Sequence, residues 1–226
     1  MNEEQAVLDF FAKEENLLLG LAVADQMNTL REQMNNRLWR ELHQRLVASL
    51  SSPGLDWQVE LTEDKNAAES LVGLHCNLRP ELDIHLRPMP TLEVSLRPMI
   101  EQQYLGGEWR IYFGLMWSAP PSPDHLGSAA VSSLNESLQH SGFKSNASFL
   151  AWQWTRFHPR RSDFLLRYAR EPEKLLGEIE AILKTLLVDH KGSIALANSA
   201  MRSVPRSTAI SLDQLRSKRN DQTGLS

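Results

Sequence analysis

The chain has 226 residues, 42% of them hydrophobic and 23% charged, enough for one domain, with or without appendages, to close a core without disulfide staples. A formal net charge of −4, from 24 basic and 28 acidic residues, does not mark a nucleic-acid binder overall. A single cysteine, Cys76, excludes an intrachain disulfide and fits a reducing cytoplasm, and no apolar run approaches the roughly 18 residues of a membrane span.

The charge is unevenly spread. Residues 1–30 hold six acidic residues against Lys13. Residues 151–170 hold Arg156, Arg160, Arg161, Arg167 and Arg170 against Asp163, and residues 202–219 hold five basic residues against Asp213. The acidic start also lacks the positive n-region of a signal peptide, so a cytoplasmic location is expected.

In chain order, Asn2 with Gln5 reads as a capping box for a first short helix containing Val7, Leu8, Phe10 and Phe11. Asn16 is read as the cap of a second helix reaching Leu50. Val23, Met27, Leu30, Met34, Leu38, Leu42, Leu46 and Leu50 recur every three or four residues and so share one face. A helix of that length is either a spine or a partner-binding surface; Met27, Leu30, Met34 and Leu38 are the candidate partner contacts. Gly20 is a weak point within it, and Ser51-Ser52-Pro53-Gly54 ends it. His43, beside Glu41 and Arg45, is expected in solvent.

A strand-rich stretch follows. Trp57, Val59 and Leu61 alternate with Gln58 and Glu60. Glu63 to Asn66 reads as a turn, with strands over Leu71 to Asn77 and Leu82 to Leu86 and alternation through Leu92, Val94 and Leu96. Leu78-Arg79-Pro80, Leu86-Arg87-Pro88 and Leu96-Arg97-Pro98 form a small repeat, each read as closing a strand because proline cannot donate to the ladder. Gly106-Gly107 is a turn, and Glu108 to Trp117 is the best strand pattern in the chain. Beyond the Ala119 to Pro123 break, Leu126, Ala130, Val131, Leu134 and Leu138 mark a helix stopped by Gly142. Phe149 to Phe157 reads as a strand, Ser162 to Arg170 as a short helix and Pro172 onward as a longer one ended by His190, Lys191 and Gly192, with a favourable i,i+4 pair of Glu180 and Lys184. Past Met201 the chain turns polar and basic, the pattern of a flexible tail.

This order predicts an α+β fold: a mainly antiparallel sheet packed against long N-terminal and C-terminal helices. Residues 1–200 form the expected domain, with a helical spine over 1–50, a strand-rich core with one helix over 55–160 and C-terminal helices over 162–200. Residues 201–226 form the tail.

Motifs of catalysis are sparse. The chain has no phosphate-cradling glycine loop and no G-x-S-x-G elbow, and Ser128 reads as a helix cap. His75 and Cys76, adjacent on a strand, point to opposite faces, so with His85 they make a poor metal set; no metal and no cofactor are expected. Asp56 with Glu63 and Lys65 matches the residue types of a metal-dependent nuclease, in which carboxylates hold a divalent ion and lysine helps activate water. The two acids are too close in sequence for the hairpin such a site needs. Trp152, Trp154 and Phe157 interleave with Arg156, Arg160 and Arg161, a pattern that stacks bases and holds phosphates. Tryptophans at strand spacing are more often core, with Arg160 and Arg161 exposed in the following loop; Arg156, Arg160, Arg161, Arg167 and Arg170 are the candidate nucleic-acid contacts.

Phe10-Phe11, Glu15-Asn16-Leu17, Leu21 through Gln26 and Arg37 through Leu42 resemble a segment of bacterial PD-(D/E)XK nuclease-like proteins, where it follows the nuclease domain. Tyr104-Leu105-Gly106-Gly107 before a strand ending in Gly114, and a tryptophan strand before a closing helix, are similar to the same region, so the likeness extends loosely over residues 8 to 198. Proteins of this kind are associated with restriction and defence against mobile DNA. The resemblance implies a chain that starts beyond the nuclease core, carries none of its catalytic residues, and serves as an accessory module in a multi-protein complex. A protein partner, such as a nuclease or another defence subunit, is therefore expected. The alternatives are a second copy of the chain, nucleic acid on the basic-aromatic surface, and a small metal-dependent nuclease.

Overall fold

The computed structural model describes residues 3–50, 56–64, 71–78, 94–103 and 109–202. It is α+β. Five antiparallel strands lie in the order in which the chain makes them: β1 (Trp57–Asp64), β2 (Leu71–Leu78), β3 (Leu96–Gln103), β4 (Arg110–Trp117) and β5 (Phe149–Trp154). Helices α1 (Glu3–Phe11) and α2 (Glu14–Leu50) precede the sheet, and α3 (Pro123–Leu126) and α4 (Ala129–His140) lie between β4 and β5. Helices α5 (Ser162–Arg170), α6 (Pro172–Lys184) and α7 (Lys191–Arg202) follow, with a π-helical turn over Thr185–Asp189 joining the last two.

Strand register assigns each side chain to a face. Trp57, Val59 and Leu61 pair with Leu78, Cys76 and Leu74, so these six share a face, which continues through Ile100 to Phe113. That face meets the helices. The lower half of α2 (Leu38, Trp39, Leu42, Leu46, Leu50), α4 (Val131, Leu134, Leu138), α6 (Leu175, Ile179, Leu183) and α7 (Ile194, Ala197, Met201) bury their apolar stripes in one cluster with it. Two indoles tie the layers: Trp39 Nε1 donates to Gln102 Oε1 at 3.0 Å, and Trp57 Nε1 to the Leu187 carbonyl in the π-helical turn at 2.9 Å. His43, expected in solvent, is instead half-buried between α2 and β1, with Nε2 3.2 Å from the Val59 carbonyl oxygen.

Helix α6 is also held to α2 by charge. Arg45 reaches Glu173 and Glu180, each at 2.5 Å, and Lys184 adds the expected i,i+4 pair with Glu180 at 2.7 Å. Glu180 is buried, which by itself raises a carboxyl pKa; hydrogen bonds from Lys184 and Arg45 outweigh that and hold it below the usual range.

Several boundaries differ from expectation. Leu96-Arg97-Pro98 opens β3 rather than closing a strand. The Leu96 amide and carbonyl are bound by the Asn198 side chain at 2.7 and 3.1 Å, whereas the neighbouring Ser95 bonds toward Ser118 beyond β4. By strand alternation Pro98 therefore faces the β2 side, where pairing with β2 has already ended at Met99. Its missing N–H breaks no ladder bond, and Asn198 on α7 stands in for the absent strand. The expected turn from Glu63 begins too early, because β1 runs to Asp64. Strand β5 ends at Trp154, three residues before Phe157; the Thr155 hydroxyl and amide both bond the Ile111 carbonyl, and the edge is finished that way. Lys191 and Gly192 open α7 rather than ending the preceding helix. Gly142, at φ 86°, terminates α4 as expected. The strand expected over Leu82 to Leu86, the turn at Gly106-Gly107, His85 and most of the tail lie outside the described residues.

Candidate functional site

Helix α2 has 37 residues, about 55 Å at 1.5 Å per residue. Its apolar stripe meets two environments. From Asn35 onward the stripe is core; Leu38 and Leu42 are each 1% exposed. The 21 residues from Glu14 to Met34, about 30 Å of helix, project away from the sheet. Leu17, Leu18, Leu19, Leu21 and Val23 are exposed there, as are Met27 at 42% and Leu30 at 45%. Helix α1 folds back on this arm and adds exposed Val7, Leu8 and Phe10. Asn16 caps the end of α1 rather than the start of α2, its Nδ2 donating to the Phe10 carbonyl at 3.0 Å. Gly20 is where the two helices touch, since a Cβ there would lie 3.0 Å from the Phe11 ring.

Of the four expected partner contacts, Met27 and Leu30 are presented to solvent. Met34 is half-buried against the core, and Leu38 is inside it and unavailable to a partner. Val23, Met27, Leu30 and Met34 step by four, three and four, the spacing of knobs that insert into a facing helix. The flanks of the arm are acidic: Asp9, Glu14, Glu15 and Asp25 face one cation, Lys13, over residues 5–30.

The carboxylate set of a metal-dependent nuclease is not assembled. Asp56 immediately precedes β1 and Glu63 lies near its other end, about 23 Å away along an extended strand. Asp56 instead pairs with Lys191 at 3.0 Å, and Lys65 lies outside the described residues. The described residues contain no group of three His, Cys or carboxylate side chains able to hold a metal ion. Cys76 is buried on the helix-covered face, where burial pushes its thiol up to about 12, while His75 is on the opposite face against Glu101.

The five candidate phosphate-binding arginines lie in and around α5. Arg156 and Arg167 both hold the Glu178 carboxylate, Arg156 at 2.7 Å, and the hydrogen bond from Arg167 is the main reason that carboxyl sits below its usual range. Arg161 is 3.4 Å from Asp163, and Arg160 lies over the Trp109 ring at 6.0 Å. Arg170 is exposed at the end of α5. Arg156, His158, Arg161, Arg167 and Asp163 line a pocket of about 190 Å³. Two carboxylates thus counter three of the five arginines, which weakens this group as a phosphate surface.

The second face of the sheet is where sequence reasoning missed most. Register places Arg97, Met99 and Glu101 of β3, Arg110, Tyr112, Gly114 and Met116 of β4, and Phe149, Trp152 and Trp154 of β5 together on it. None of these belongs to the main hydrophobic cluster, so Trp152 and Trp154, expected in the core, are not in it; both are half-buried on the face away from the helices. Tyr112 makes edge contacts with Phe149, Trp152 and Trp154 at 5.8, 6.3 and 5.5 Å between ring centres. Its hydroxyl donates to Glu101, whose other oxygen is 2.6 Å from His75 Nε2. Period-two alternation was the available signal for this face. It could not say which face the helices would cover.

No helix among the described residues is long and apolar enough to cross a membrane. Comparison with protein families, curated proteins and solved structures finds no match.

Proposed function

We propose that this protein is a non-enzymatic binding module that docks a separate protein through the projecting α1–α2 arm. One observation carries the reading: a single apolar helix stripe is buried over its C-terminal half and exposed over its N-terminal half, where Val23, Met27 and Leu30 remain in water. Leaving that area exposed is costly, and a helix with a matching stripe is the partner that the four-three-four spacing fits. The acidic flanks call for basic flanks on the partner and set two copies of the arm against each other by like charge. The sequence resemblance supports the partner's class, a nuclease or other subunit of a bacterial defence or restriction complex.

The test uses the full-length protein with a photo-crosslinking residue at Met27, irradiated in its native host, beside a Met27→Asp/Leu30→Asp variant. The expected result is a stoichiometric cross-link to one different protein, surviving nuclease digestion and absent from the Asp variant. A cross-link to a second copy, or a monomer with no partner at any growth stage, overturns the proposal.

A further inference from the structure

We infer that the sheet face on which no helix among the described residues packs is, along β5, a binding surface for single-stranded nucleic acid, independent of the arm. Three cations border it: Arg97 and Arg110 on the face itself and Lys144, which bridges β5 through its backbone beside Trp152. None of the three carries an ion pair among the described residues, unlike Arg37, Arg45, Arg156, Arg161 and Arg167, each bound to a carboxylate. Arg110 lies 4.5 Å over the Trp154 ring and Lys144 6.0 Å over Trp152, so these cations sit against aromatic rings rather than acids.

Among the described residues, six buried side-chain polar atoms have no hydrogen-bond partner, and three of them lie on this face. Arg97 Nε, Arg110 Nε and Trp152 Nε1 are buried, and each lacks a hydrogen-bond partner. All three are donors, so the missing complement is a set of acceptors. Glu101 is buried and already held by His75 and Tyr112, so it does little to repel an anion. Glu60, opposite His75, is exposed on the same face, but it lies on β1 at the far edge of the sheet from β5.

The residues form a track. Arg97 pairs across the sheet with Met116 and then Phe149; next come Met99, Gly114 and Trp152; then Glu101, Tyr112 and Trp154; and finally Arg110. Met99, Glu101, Tyr112 and Gly114 are buried beneath this row, so the part open to a ligand is the half-buried Phe149, Trp152 and Trp154 of β5 with the two arginines. Successive rows are two residues apart, so the two arginines are about 20 Å apart along the strands, with an aromatic column between them. Cations at the ends of an aromatic column suit a short run of phosphates and bases, about the four nucleotides at the lower end of single-strand site sizes. A duplex keeps its bases stacked inside and offers the rings nothing to stack on.

The experiment is fluorescence anisotropy of labelled 12-nucleotide single-stranded DNA and RNA with the full-length protein, against a duplex and against polyphosphate, over a range of salt. Single strands are expected to bind at least tenfold more tightly than duplex, with log affinity falling against log salt at a slope of about −2 for three phosphate contacts. Arg97→Gln and Lys144→Gln, both folded by circular dichroism, should each reduce that slope by about 0.7. Trp154→Leu should weaken binding about 5- to 150-fold while leaving the slope unchanged. Met27→Asp/Leu30→Asp should leave binding unchanged. Equal affinity for polyphosphate with no effect of Trp154→Leu, binding lost only on Arg160→Gln/Arg161→Gln, or no binding at low salt would each overturn the inference.

Discussion

Helix α2 offers a controlled comparison, because residues of one type, on one stripe of one helix, are read as serving two purposes. Leu42 is 1% exposed and packs beneath the sheet. Leu42→Ala removes three carbons, worth about 2.4 kcal/mol at about 0.8 kcal/mol each, and the cavity left behind brings the cost to about 3–5 kcal/mol. For a chain of this size that lowers the melting temperature by about 6–20 °C. Leu30, three turns earlier, is 45% exposed. Leu30→Gln and Met27→Gln exchange residues of similar helix propensity at positions with no core contact, so each should change stability by less than about 0.5 kcal/mol. Urea unfolding followed by circular dichroism at two protein concentrations measures both. A cost above about 1.5 kcal/mol for Leu30→Gln, independent of concentration, would show that the arm packs within the chain and would refute the docking-face argument. A cost that appears only at high concentration would show self-association.

Three further outcomes follow from the core. Asn198→Ala removes both hydrogen bonds from the Leu96 backbone and leaves two buried groups unpaired, so urea unfolding should show a loss of about 1–3 kcal/mol. Glu180 has a folded pKa below its usual 4.5, so its stabilising contribution is present above that value and lost as pH falls through the folded pKa; melting temperatures between pH 6 and 3 should fall less steeply for Glu180→Gln than for the parent. Cys76, buried with its thiol raised to about 12, should resist a thiol reagent at pH 8 in the native protein and react fully in denaturant; native labelling at the rate of a free thiol would contradict its place on the helix-covered face.

Local patterns determined much of the architecture. Alternation at Trp57 to Leu61, the aromatic-rich run from Glu108 to Trp117, the three-four spacing through Leu50, Pro172 at the head of a helix and Gly142 after one all act within a few residues, and each element formed within about two residues of where its pattern placed it. Where the sequence reading failed, the deciding partner lay far along the chain. Leu96-Arg97-Pro98 looks like the end of a strand until Asn198, about a hundred residues later, satisfies the Leu96 backbone. The stripe of α2 is uniform in sequence, and only the position of the sheet and α6 divides it into a buried half and a free one. Period two separates Trp152 and Trp154 from Ala151 and Gln153 but is symmetric between the two faces of a sheet. The helices broke that symmetry by packing on the other side, and left aromatic rings together with Arg97, Arg110 and Lys144, which carry no ion pair among the described residues, on a face that no short stretch of the chain specifies.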